Sequence, residues 1–83
     1  MGITIHNKVR KPMDITDRIQ YIVALINEFA RRFALTDAQA AEYLSRYGAI
    51  ALCDKHYGFL HTQSFASNVD DLSAYCRRMG GNL

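Results

Sequence analysis

The sequence is organised around residues 47–62, which read YGAIALCDKHYGFLHT. Four apolar residues of this stretch recur at steps of 3, 4 and 3: Ile50, Cys53, Tyr57 and Leu60. This spacing places them on one face of an α-helix, so it predicts a centrally packed helix over residues 49–61. His61 and Thr62 follow, where an imidazole and a hydroxyl can pair with backbone carbonyls left open at a helix end.

A second helix is predicted immediately before this stretch. Thr36 and Gln39 have the spacing of a capping box, in which the threonine hydroxyl accepts from the glutamine amide and the glutamine side chain reaches back. We expect this helix to end at Tyr47, with Gly48 in the left-handed conformation just beyond it.

The longest helix is predicted over residues 15–34. One stripe of apolar residues runs along it: Ile15, Ile19, Ile22, Ile26, Phe29 and Phe33, widened by Val23 and Ala30. We expect this stripe to face the core. Tyr21 and Leu25 fall outside the stripe. Because Arg18 and Arg32 border them, this apolar pair is a candidate surface for binding another protein.

The last helix is predicted over residues 69–79, with Asn68 as its N-cap. Arg77 and Arg78 suit the negative end of the helix dipole, and the glycines at 80–81 stop the helix. Its inward-facing residues are expected to be Val69, Leu72, Cys76 and Met79. Four helices with short connections predict a compact all-α domain.

Length and charge define the organisation of the chain. Its 83 residues, 49% of them apolar, fit one globular domain over residues 13–83, preceded by a flexible basic arm at residues 1–12. That arm holds a charge of +3 from Lys8, Arg10 and Lys11, which leaves 7 basic and 8 acidic side chains in the domain. Nucleic-acid-binding domains usually carry a clustered basic face, so this balance disfavours nucleic acid as a partner.

Other sequence patterns indicate the cellular compartment in which we expect the protein. The longest apolar run, residues 21–26, is far too short to span a bilayer, and the first 13 residues lack the pattern of a secretion signal. Cys53 and Cys76 occupy apolar helical positions without metal-ligand spacing, which is typical of buried thiols in a reducing cytosol. We therefore expect a cytoplasmic protein without a membrane segment, metal or cofactor.

The residues that could carry chemistry form no convincing site. His56 and His61 are five residues apart, which does not align them as the i, i+4 pair of a helical metal site. Cys53 and His56 are three apart, but Cys53 belongs to the buried face and lacks a third group to orient the pair. We therefore expect no catalytic residue and no enzymatic activity.

A helix-turn-helix is the alternative interpretation of helix two, the Gly48 turn and helix three. In that arrangement helix three would read the DNA. Its exposed positions are predicted to be Ala51, Asp54, Lys55 and His56, which are poor in the Arg, Asn and Gln side chains that read base edges. A DNA-binding regulator is thus the second candidate, after a protein-binding domain.

The helical pattern from Leu35 onward resembles a family of small bacterial proteins of unknown function. The resemblance covers residues 19–78, and its most specific part is a Tyr-x-x-Leu-His-Thr run formed by Tyr57, Leu60, His61 and Thr62. Members of that family are often encoded beside ADP-ribosyltransferase-like proteins, an arrangement typical of a toxin and its antitoxin. The resemblance implies an all-helical protein that binds and neutralises such an enzyme.

We therefore expect a non-enzymatic protein-binding module, with an ADP-ribosyltransferase-like protein as its partner. The residues predicted to contact that partner are Arg18, Tyr21, Leu25, Arg32, His61 and Thr62. A chain this short also suits a homodimer, since a second copy could supply part of the buried surface that a small domain lacks.

Overall fold

The computed structural model describes residues 15–83 of the chain. This part contains five helices and no strand: α1 (Ile15–Phe33), α2 (Asp37–Arg46), α3 (Ala49–Lys55), α4 (Tyr57–Leu60) and α5 (Phe65–Arg78). Four of these helices have seven or more residues. The predicted compact all-α fold is confirmed. The predicted basic arm at residues 1–12 lies outside the described residues.

Helix α2 forms where the sequence predicts it, because local interactions define both of its ends. The Thr36 hydroxyl accepts from the Gln39 backbone N–H at 3.0 Å, and the Gln39 side-chain oxygen accepts from the Thr36 N–H at 2.9 Å. Beyond the C-terminus, Gly48 has a φ of +79°, which glycine adopts without the steric cost other residues incur. The capping box and the left-handed glycine after the helix are both confirmed.

Thr36→Ala is expected to lower the free energy of unfolding by about 1 kcal/mol, because it removes the hydroxyl that accepts from the α2 backbone. Urea denaturation followed by circular dichroism measures the change. Thr36→Ser keeps a hydroxyl at the same position and is the control. Equal midpoints for the alanine variant and the wild type would show that the cap contributes nothing.

The predicted single helix over residues 49–61 is wrong, since the chain breaks into α3 and α4 at His56. The His56 backbone leaves the helical region, with φ −109° and ψ 24°. Gly58 follows two residues later, and a glycine costs a helix about 1 kcal/mol relative to alanine. Tyr57 and Leu60, which follow the break, are buried, as is Cys53 before it.

Helix α5 begins four residues earlier than predicted. Its N-cap is Ser64, whose side chain accepts from the Ser67 backbone N–H at 3.1 Å. The predicted cap, Asn68, instead lies inside the helix and is 0% exposed. Serine and asparagine both cap helices, so the local sequence offers two starting points. The tertiary structure decides between these two starting points: Asn68 is buried against α1 and α4, and the helix begins after Ser64.

The core is built from α1 packed against α2, α3 and α5. Its most deeply buried apolar side chains are Leu25, Phe29, Ala30, Ala40, Leu44, Ala49, Cys53, Val69, Leu72 and Cys76. Both cysteines are buried and unlinked, as predicted. Met79 was expected to face inward but is 56% exposed, because α5 ends one residue before it.

The predicted buried stripe of α1 is correct for Phe29 and Ala30, which are buried, and wrong for three other residues. Leu25, assigned to the exposed side, is 1% exposed, whereas Ile19 and Val23, assigned to the core, are 55% and 51% exposed. Residues 21–26 are all apolar, so helical periodicity alone allows more than one buried stripe. Contacts of Tyr21 with α4 and α5 select the stripe that includes Leu25.

Candidate functional site

The structure brings together four of the six predicted partner-binding residues, around α4 and its C-terminal end. These four are Arg18, Tyr21, His61 and Thr62. Leu25 is in the core and is not available as a surface residue in the monomer. Arg32 lies 14 residues after Arg18 on α1, about 21 Å along the helix, and pairs with Asp70 of α5 at 2.6 Å.

Tyr57 is the centre of this group. Its ring stacks on the His61 ring with centroids 4.8 Å apart, and the Tyr21 ring meets its edge at 5.4 Å. The Arg18 guanidinium lies 5.4 Å from the Tyr57 centroid, within the range of a cation–π contact. The same guanidinium donates to the Asp54 carboxylate at 3.2 Å, which joins the start of α1 to the end of α3.

A partly buried polar network connects α1 to α4, to α5 and to the loop between them. The Tyr21 hydroxyl donates to the Leu60 carbonyl at 3.0 Å, and the Asn68 amide donates to the same carbonyl at 2.9 Å. Asn68 also donates to the Tyr21 hydroxyl and accepts from Gln63 at 2.8 Å. Burial raises the pKa of Tyr21, so this phenol stays protonated at neutral pH. Sequence patterning missed the network, although an asparagine within an apolar helical face could have indicated it.

The Tyr-x-x-Leu-His-Thr run has a structural explanation for each of its four defined residues. Tyr57 and Leu60 are buried. The His61 Nδ1 lies 3.0 Å from the Tyr57 carbonyl oxygen, and the Thr62 hydroxyl donates to the Phe59 carbonyl at 2.7 Å. The predicted pairing of both side chains with helix-end carbonyls is confirmed. Their contact with a partner remains a prediction.

His61→Ala is expected to lower the free energy of unfolding by about 1 kcal/mol, since it removes both the hydrogen bond and the stacking on Tyr57. Partner affinity should fall only in proportion to the unfolded fraction. Urea midpoints and partner affinity are compared for His61→Ala, His61→Gln and the control His56→Ala, which alters an exposed histidine of the same segment. A variant with the wild-type midpoint but no binding would make His61 a contact residue.

The candidate nucleophilic pair is poorly suited to catalysis. Cys53 is 1% exposed, and burial raises its pKa to about 11, so the thiol is protonated at neutral pH. A protonated, buried thiol is a poor nucleophile. Within residues 15–83, no group of three or more His, Cys, Asp or Glu side chains is positioned to hold a metal ion.

The helix-turn-helix interpretation also meets obstacles in the geometry. Its proposed recognition helix, α3, has only seven residues. Asp54, on its exposed side, carries a negative charge and pairs with Arg18. A negative charge at that position opposes the approach of a phosphate backbone.

The structure reveals two apolar surfaces that the sequence did not indicate. The first is the α1 flank, defined as Ile19 and Val23 with the half-buried Ile22 and Ile26 beside them. The second is the Phe59 groove, an open cavity of about 250 Å³ lined by Leu52, His56, Phe59, Leu60, Asp71 and Leu72. Phe59 itself is 63% exposed. In the described range, no helix is long and apolar enough to cross a membrane.

Fold and surface together define a small all-α domain with exposed apolar surfaces. The sequence model of a family described as "Protein of unknown function (DUF3791)" matches residues 20–78. The match covers more than two-thirds of the chain, and this protein belongs to that family. No curated protein and no solved structure matches it.

Proposed function

We propose that this protein is a non-enzymatic protein-binding module that neutralises an ADP-ribosyltransferase-like toxin in the bacterial cytoplasm. The class of partner is inferred from the resemblance to a family whose members are often encoded beside such enzymes. The two unlinked thiols suit a reducing compartment. The α1 flank is the single observation that carries the binding function.

Large apolar side chains at the centre of the α1 flank remain in contact with water. Ile19 and Val23 are four residues apart, so they lie one above the other on the same side of the helix, and each is more than half exposed. Covering such a patch with a partner removes apolar surface from water, which stabilises the complex. Contiguous exposed apolar surface of this kind is typical of protein-binding sites.

Charge supports a protein as the occupant of this surface. The nine residues from Ile19 to Asn27 include no charged side chain. A nucleic acid would need basic side chains here, and a phospholipid headgroup would need them as well. We infer that an apolar face of the toxin, such as one side of a helix, packs along the α1 flank.

The test is co-expression with the ADP-ribosyltransferase-like protein that the proposal expects to be encoded beside this chain. Wild-type protein should restore growth and co-purify with the toxin. Ile19→Glu should abolish both, because it places a charge in an apolar contact. The control, Gln20→Glu, adds the same charge at the adjacent exposed position and should retain both activities.

Thermal melts establish that both variants fold. The proposal fails if the wild-type chain neither binds nor protects against the toxin. The assignment of the α1 flank as the binding surface fails if Ile19→Glu and Gln20→Glu have the same effect on growth and co-purification.

A further inference from the structure

The Phe59 groove is separate from the surface assigned to the toxin and has no role in the chemistry described above. Phe59 belongs to the four-residue helix α4, which the break at His56 separates from α3. Its aromatic ring is the most exposed large apolar side chain in the described residues. The groove lies beside it, between α3, α4 and α5.

The size of the groove indicates what can occupy it. Small-molecule sites are usually about 300–1,000 Å³, larger than this cavity of about 250 Å³. An apolar cavity of about 150 Å³ is enough to hold a benzene molecule. The groove therefore has room for one aromatic ring, and its apolar walls, Leu52, Leu60 and Leu72, suit such an occupant.

Charges at this face have both signs. Asp71 lines the groove, and Lys55 lies one helical turn after the groove residue Leu52, on the same side of α3. The ion pairs found among residues 17–83 include neither Asp71 nor Lys55. Both charges are thus available to a molecule that binds there.

The same face therefore carries a projecting ring, a cavity that fits a ring, and charges of opposite sign. This is the self-complementarity that a two-fold interface requires, because each residue of the patch meets the same patch on the other subunit. A different protein would have to supply a ring and matched charges of its own. A second copy already has them.

We propose that two copies of this chain form a symmetric dimer through this face, with Phe59 of each copy inserted into the Phe59 groove of the other. Asp71 of one copy then faces Lys55 of its partner. The contact is small, and small interfaces are usually weak and transient, so we expect a dissociation constant in the micromolar range.

Sedimentation equilibrium over two decades of concentration tests the proposal with full-length protein. Wild type should be a reversible dimer. Phe59→Ala should raise the dissociation constant at least about tenfold, because buried aromatic anchors dominate such interfaces. Met79→Ala, which shortens an exposed apolar side chain at the end of α5, should leave it unchanged.

A charge exchange provides an independent measurement. Asp71→Lys alone should weaken the dimer, and Asp71→Lys combined with Lys55→Asp should restore it, since the pair is re-formed with reversed signs. A monomeric wild type at all concentrations would overturn the proposal. So would a dimer insensitive to Phe59→Ala, or one lost on Ile19→Glu instead, which would place the interface on the α1 flank.

Discussion

Phe29→Ala is expected to lower the free energy of unfolding by about 3–5 kcal/mol. Phe29 is 0% exposed and lies at the centre of the core. Its ring is 4.7 Å from the Phe33 ring and 5.9 Å from the Tyr43 ring, so it joins α1 to α2. The substitution loses the favourable free energy of transferring an aromatic ring from water to the core. It also leaves a cavity that the surrounding helices can close only in part.

Such a loss is a large fraction of the total stability of a small domain, about 5–15 kcal/mol. Phe59→Ala is the matched control, because it removes the same side chain from a position that is 63% exposed. Urea denaturation of both variants at low protein concentration, where a dimer dissociates, gives the comparison. Similar losses at the two positions would contradict the burial of Phe29.

Leu25→Ala is expected to lower the free energy of unfolding by about 2–5 kcal/mol. The sequence places Leu25 on an exposed, partner-binding side of α1, which predicts almost no effect on stability. The structure buries it to 1% exposure, so the substitution opens a cavity in the core. The measured loss of stability therefore decides directly whether Leu25 belongs to the buried face of the helix.

Val23→Ala is the control on the same helix, two residues away and 51% exposed. Surface substitutions usually change stability by no more than about 0.5 kcal/mol, and alanine has the higher helix propensity. Chemical denaturation of both variants measures the difference. If Val23→Ala proves the more damaging, Val23 and not Leu25 belongs to the buried face of α1, as the sequence predicted.

The family motif now divides into two kinds of residue. Tyr57, Leu60, His61 and Thr62 support the fold of α4 through burial, stacking and backbone hydrogen bonds. Phe59 occupies one of the two undefined positions of the motif and is its one large apolar side chain exposed to solvent. The four defined positions thus explain how α4 is held in the fold, whereas Phe59, at the second undefined position, is exposed to solvent.

Local interactions made much of the fold predictable. The capping box at Thr36 joins atoms only three residues apart, and the left-handed turn at Gly48 depends on a single residue type. The arginines at the end of α5 are likewise recognisable from their position alone. Signals of this kind are contained in a few consecutive residues, so the sequence by itself determined the number of long helices and most of their ends.

Tertiary contacts decided the remainder, since they join residues far apart in the chain. Tyr21 and Asn68 are 47 positions apart, yet their hydrogen bond helps select the buried side of α1 and makes Asn68 a core residue instead of a cap. The break at His56 is a further difference, since the chain keeps Tyr57 and Leu60 buried although the helix is interrupted. Helical periodicity identifies the stripes that can be buried, but only packing against the other helices determines which stripe is buried.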